Sequence, residues 1–214
     1  MTSLSAALTD PRPAVRLRAV MSAGTTPSVD DLEALVEQCA VEPDLQVREM
    51  LTWSLVRLPA ELVVPRVVRE LVRPEAQARS QALHTLSKIR DGAAFPQVAA
   101  RVEDPDPGVA RTAWRASVLL APVEERPALA RRLAVQLGQG DREAWLALSR
   151  ALATLGADVV TPVLADAAAH RNAAVREHVA ETERLISDPD SGSALALERA
   201  RREVALGRTR SAKG

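Results

Sequence analysis

The stretch "AFPQVAARVEDPDPGVARTAWRASVLL", Ala94 to Leu120, decides the fold. Pro96 stands near the start of one helix, where a missing amide hydrogen is tolerated. "DPDP", Asp104 to Pro107, is helix-start chemistry, because an Asp side chain accepts orphan amide hydrogens and Pro tolerates the first helical position. A second helix then opens at Val109. Counted from Ala110 as an anchor, Ala113 and Leu120 fall three and ten residues on and share one buried stripe with Val109. Ala116, six residues on, is a small side chain where two helices can cross closely.

Outward from this stretch the same grammar recurs every 31 or 32 residues. Val15-Arg16, Val47-Arg48, Ala78-Arg79 and Val175-Arg176 open equivalent helices, and Ala144-Trp145 echoes them. The anchors are Arg16, Arg48, Arg79, Ala110, Trp145 and Arg176, spaced 32, 31, 31, 35 and 31 apart. Offset three reads Ala19, Leu51, Ala82, Ala113, Leu148 and Val179, and offset six reads Ser22, Ser54, Thr85, Ala116, Ala151 and Thr182. A period of this length belongs to stacked helical repeats, in which each unit buries its apolar face on its neighbours.

The turns before the anchors carry Asp10-Pro11, Asp44, "DPDP", Asp141 and Asn172. Pro65, Pro96 and Pro162 each lie 14 residues before their anchors, near the start of the first helix. The longer step before Trp145 places extra residues in "PVEERPALARRLAVQLGQGD". In the second repeat Leu32, Leu35, Val36 and Cys39 follow helical spacing, which buries Cys39. The expected helix pairs span about 28–59, 60–90, 93–121, 123–155 and 157–187, after a truncated leading repeat over 2–24. A closing helix over 192–206 and a basic tail over 207–214 complete a single expected domain, 1–206.

Composition agrees with this. The 214 residues are 47% apolar, enough for a continuous core. Lys plus Arg and Asp plus Glu number 28 each, so no global field draws the chain to nucleic acid or anionic lipid. Any electrostatic partner must be met by a local patch. The single Cys39 cannot form an internal disulfide, and no apolar leader opens the sequence, which together suit a reducing cytoplasm. No apolar run approaches the ~20 residues of a membrane span. There is no Tyr and one Phe, while Ala, Leu, Val and Arg dominate, an alphabet for helices.

The Ala94–Leu120 stretch resembles the short bacterial HEAT repeat, with its early Pro, Asp-Pro turn and Ala/Leu ladder. "VVPRVVRELVRPEAQARSQALHTLSKI" and "VVTPVLADAAAHRNAAVREHVAETERLI" match it less closely, and the resemblance covers nearly the whole chain. It implies an all-α fold, a right-handed α-α superhelix of five full helix pairs, a truncated leading repeat and a C-terminal capping helix. It does not decide function, because this repeat serves scaffolds, bilin lyase subunits, a hydroxylase of modified lysine and relatives of DNA glycosylases.

In similar solenoids the second helices line the concave face, and offsets of one, five and eight point away from the buried stripe at about 100° per residue. Offset five reads Met21, Trp53, His84, Arg115, Arg150 and Glu181, and offset one includes Glu49 and Arg111. Trp114, at offset four, would flank that surface. An apolar and aromatic end, a His and an arginine cluster suggest recognition of a partner, although Trp53 and Trp114 could equally be packing. The anchor arginines read as structural, their stems crossing the repeat junction and their guanidinium groups meeting turn carbonyls or acidic side chains.

Catalytic signals are weak. His84, His170 and His178 form no HExxH or paired His-Glu set, and His178, sharing a helix with Glu181, is expected in solvent. No phosphate-binding glycine loop or nucleophile elbow occurs. The expectation is therefore a non-catalytic cytoplasmic scaffold or adaptor without cofactor, membrane or small-molecule ligand. Its protein partner would be held by Met21, Trp53, His84, Arg111, Trp114, Arg115 and Arg150. The alternatives are a bilin-lyase-like subunit or a DNA-binding, glycosylase-like protein. In the latter Trp53, Trp114 and Arg115 would grip a base and its phosphate, against which stands the neutral overall charge.

Overall fold

A computed structural model describes residues 3–188, so the helix expected over 192–206 and the tail over 207–214 lie outside the described residues. Among the described residues there are helices and no strands. They run α1 (Ser3–Leu8), α2 (Pro13–Thr25), α3 (Leu32–Val41), α4 (Leu45–Val56), α5 (Ala60–Glu70), α6 (Ala76–Ile89), α7 (Phe95–Ala99), α8 (Pro107–Leu120), α9 (Arg126–Ala134), α10 (Arg142–Leu155), α11 (Ala157–Ala168) and α12 (Ala173–Ser187). Taken two by two they are the expected helix pairs, with boundaries shifted by a few residues. Pro65 and Pro162 sit inside α5 and α11 rather than at their starts, both exposed on the outer side.

The chain divides into two compact units, Met1–Arg132 and Leu133–Gly214, and the division falls inside the stretch with the extra residues. In the first unit α2 packs on α4, α4 on α6 and α6 on α8, while α3, α5 and α7 back their partners. Of the expected ladder Leu51, Ala82 and Ala113 are buried and Ala19 is half-buried, and Val20, Leu55, Leu83 and Leu86, at offsets four and seven, complete the core. Ser22 in the leading repeat is exposed, but from the second repeat onward the small residues at offset six lie where the second helices cross. Ala116 is buried there, Ser54 Oγ donates to Val20 O at 2.9 Å, and Thr85 Oγ1 meets Thr52 Oγ1 at 3.1 Å. These hydroxyls enter the core without leaving a polar atom unpaired.

Turn chemistry separates two jobs that look alike in the sequence. Asp44 and Asp106 are N-caps, each accepting two amide hydrogens at 2.9 and 3.0 Å. The acids two residues earlier, Glu42 and Asp104, are buried and receive an arginine from the preceding repeat. Arg16 grips Glu42 with Nε at 2.8 Å and Nη2 at 2.6 Å, and Arg79 grips Asp104 at 2.9 and 2.8 Å. Both arginines also donate to carbonyls of their own turn, Arg16 to Asp10 and Pro11, Arg79 to Arg73 and Pro74. Arg48 makes the carbonyl half of this bracket, to Glu42 O and Pro43 O, and the acid position of the following turn is Arg73. Arg16 and Arg79 therefore tie repeat to repeat, while Arg48 braces its own turn.

In the second unit α10 packs on α11 and α12 around Leu148, Leu152, Leu155, Leu164 and Val179. His178, expected in solvent, is fully buried here. The Gly138 amide donates to its Nδ1 at 3.0 Å, so the ring proton sits on Nε2, which faces Trp145 O at 3.0 Å and Ser149 Oγ at 3.2 Å. Its ring stacks on Trp145 with centroids 4.5 Å apart. Gly138 reaches this position with φ of 75°, a left-handed conformation that favours glycine. The correction has a plain cause: a neutral imidazole is flat and apolar enough to stack, and neither nitrogen is left without a partner.

Candidate partner-binding site

On α6 and α8 the outward face is built from offsets one, five and nine rather than one, five and eight, while on α4 Val56 at offset eight and Arg57 at offset nine are both exposed. Ser87 and Val118, at offset eight of α6 and α8, are buried, while Lys88 and Leu119 face out. Offset nine trails offset five by four residues and so lies about 40° from it on the helix, against about 60° for offset eight. The face therefore carries Met21 on α2, Glu49, Trp53 and Arg57 on α4, Ser80, His84 and Lys88 on α6, and Arg111, Arg115 and Leu119 on α8.

Trp53 is 37% exposed and Met21, one turn before Gly24, is 46% exposed. Gly24 of α2 lies against the six-membered ring of Trp53, so close that a methyl group there would overlap the indole. Arg57, one turn beyond Trp53, holds its guanidinium carbon 5.1 Å from the ring centroid and donates from Nε to Gly24 O. Cation–π contact and main-chain hydrogen bond thus fix the indole in one orientation while its remaining surface stays open. Arg57 was missed in the sequence, yet its spacing of four from Trp53 is a readable signal.

His84 is the next element of the face, its side chain 20% exposed, with Nε2 3.4 Å from Glu49 Oε2. Burial pushes this imidazole below its ordinary range; Glu49 opposes the shift, and Lys88 and Arg115 add to it by their charge. Lys88 and Arg115 form no hydrogen bond or ion pair among the described residues, and Arg115 is exposed. Arg111 is half-buried.

Trp114 is a correction. It is only 6% exposed, and its Nε1–H donates to Val102 O at 2.8 Å. The buried carbonyl at the end of the α7 segment needs a donor, and the indole turned inward supplies it. Trp114 therefore packs the α7–α8 pair and offers no surface for recognition. Arg150 is exposed on α10 of the second unit. The structure brings Met21, Trp53, His84, Arg111 and Arg115 onto one side of the first unit's second helices. Among the described residues no three His, Cys, Asp or Glu side chains converge as metal ligands would, and no helix is long and apolar enough to cross a membrane.

Repeated helix pairs with capped turns make this a HEAT-like helical-repeat fold. No protein-family model matches the chain, and no curated protein does. Among solved structures it is similar to an engineered protein at 18% identity over 88% of this chain and 96% of that one, TM-score 0.49. It is similar to the CpcE–CpcF complex of phycocyanin lyase from Nostoc sp. PCC7120 at 16% identity, over 86% and 75% of the chains, TM-score 0.49. Human deoxyhypusine hydroxylase is similar at 20% identity, over 96% and 94% of the chains, TM-score 0.46.

Proposed function

We propose that this chain is a non-catalytic cytoplasmic scaffold or adaptor that binds a partner protein on the face of its second helices. The observation that carries the reading is Trp53: an indole more than one third exposed, yet fixed by Gly24 and Arg57 and adjoined by the exposed Met21. A pre-positioned aromatic anchor beside cations is the composition of an interface hot spot, because little side-chain entropy is left to lose on binding. The lone cysteine as a buried thiol suits a reducing compartment. The inward turn of Trp114 weighs against the glycosylase-like alternative, which needed both tryptophans at the surface.

The experiment is affinity capture from native cytosol with the parent chain and a Trp53→Ala/Arg115→Glu variant side by side. A protein retained by the parent and lost from the variant supports the reading. Identical captures, with the variant folded by circular dichroism, overturn it.

A further inference from the structure

The first unit separates its charges by face. On the first-helix side acidic side chains are plentiful, and they pair Arg66 with Glu33, Glu37 and Glu70 at 2.8, 3.1 and 2.6 Å and Arg73 with Glu75 at 3.1 Å, while Arg69 stays exposed. On the second-helix face the cations Arg57, Lys88 and Arg115 are accompanied by a single carboxylate of the same helices, Glu49. A chain of zero net charge thus presents a locally cationic surface, and at one end of it lies the apolar pair Met21 and Trp53. Resting on the scaffold reading above, we infer that this face binds an extended acidic polypeptide segment, one apolar side chain seated on Met21 and Trp53 and carboxylates following onto Lys88 and Arg115.

Spacing supports an extended segment. Adjacent second helices pack about 8–10 Å apart, and an extended chain advances about 3.3 Å per residue. An apolar residue over α4 therefore places carboxylates about three and six residues further on over α6 and α8. Glu49 beside His84 suits the serine, threonine or amide side chain that would lie between them, since it accepts hydrogen bonds. Nucleic acid fits less well. Arg57 already lies over one face of the indole and Gly24 against its six-membered ring, so a base cannot stack there without displacing one of them, and Glu49 repels a continuous phosphate backbone.

The test uses the full chain and fluorescein-labelled synthetic peptides of one frame, one Leu followed by Glu at every third position with Ser and Gly between. Controls carry Lys for every Glu, or Ala for Leu. Anisotropy at low salt should show saturable binding of the Glu peptide, at least tenfold weaker binding of the Lys peptide, and weaker binding of the Ala peptide. Lys88→Glu/Arg115→Glu, which alters only exposed or half-buried side chains without hydrogen bonds, should lose at least tenfold for the Glu peptide. Trp53→Ala should weaken the Leu peptide more than the Ala one. Equal binding of Glu and Lys peptides, no binding at all, or a single-stranded oligonucleotide binding more tightly than the Glu peptide overturns the inference. A captured partner that depends on Trp53 and Arg115, together with peptides that fail, sinks the acidic segment alone and leaves the scaffold reading standing.

Discussion

Cys39 shows how far a single position is determined by the repeat. Burial, and after it the charge of Glu70, pushes its thiol up to about 12, so the nucleophilic thiolate is negligible at neutral pH. A charged disulfide reagent should leave the folded chain unlabelled and modify Cys39 only in denaturant; labelling of the native protein at the rate of a free thiol would contradict this burial. Ala116 is equally determined. Replaced by Leu at the crossing of α6 and α8, it should cost about 1–3 kcal/mol by overpacking, read as a lower urea midpoint. Both positions were legible because helical periodicity alone places them on the buried stripe. Trp114 was not, since offset four lies at the edge of that stripe, and its direction is set by the carbonyl of Val102, a partner twelve residues away. His178 escaped for the same reason, its partners at Gly138 and Trp145 being remote in sequence.

At the level of elements, the turn acid and the anchor arginine carry the junctions. Burial raises the Asp104 carboxyl and hydrogen bonds from Arg79 and the Asp106 amide more than offset it, leaving it below the usual carboxylate range; Glu42, held by Arg16, behaves likewise. Asp104→Ala would strand the Arg79 guanidinium in a buried site and should cost about 3–5 kcal/mol. Arg79→Met combined with Asp104→Leu should recover much of that loss, because the desolvation of both charges disappears together. Urea unfolding of the three chains checks it, and a single variant as stable as the parent would remove the bracket from the list of junction contacts. Helix pairs and the caps Asp44 and Asp106 were readable from local sequence. That anchor arginines meet turn carbonyls and acids across the junction was readable too, but which acid they take was not, because in "DPDP" both acids have the composition of caps, and only an Arg 25 or 26 residues before the first of them separates the roles.

Across the whole molecule, His84, His178 and the turn carboxyls Glu42 and Asp104 are all held below their ordinary values, but those values differ between imidazole and carboxyl, and pH should therefore act on the two compact units in different windows. In the second unit burial is the chief force pushing His178 below its ordinary value of 6.5; Trp145 O and Glu181 oppose it and Arg142 adds to it. A histidine depressed in the folded state contributes stability that is complete above about pH 6.5 and is lost as pH falls towards the folded value, since the unfolded chain takes up the proton first. Protonation would also set a hydrogen on Nδ1 against the Gly138 amide and put a charge beside Trp145. In the first unit His84 acts in the same direction, but it is partly solvated and Glu49 stands 3.4 Å away, which moderates its share. The depressed carboxyls of Glu42 and Asp104 hold their stability until pH falls below about 4, through their folded values. Hydrogen exchange from pH 7.5 to 4.5, corrected for intrinsic rates, should show α10 and α12 losing protection below about pH 6.5 while α4, α6 and α8 keep theirs. His178→Gln, which removes the titrating ring, should flatten that pH dependence even though it lowers stability at pH 7.5. Equal loss in both units, or an unchanged slope in the variant, would mean that His178 does not govern the acid response of the second unit.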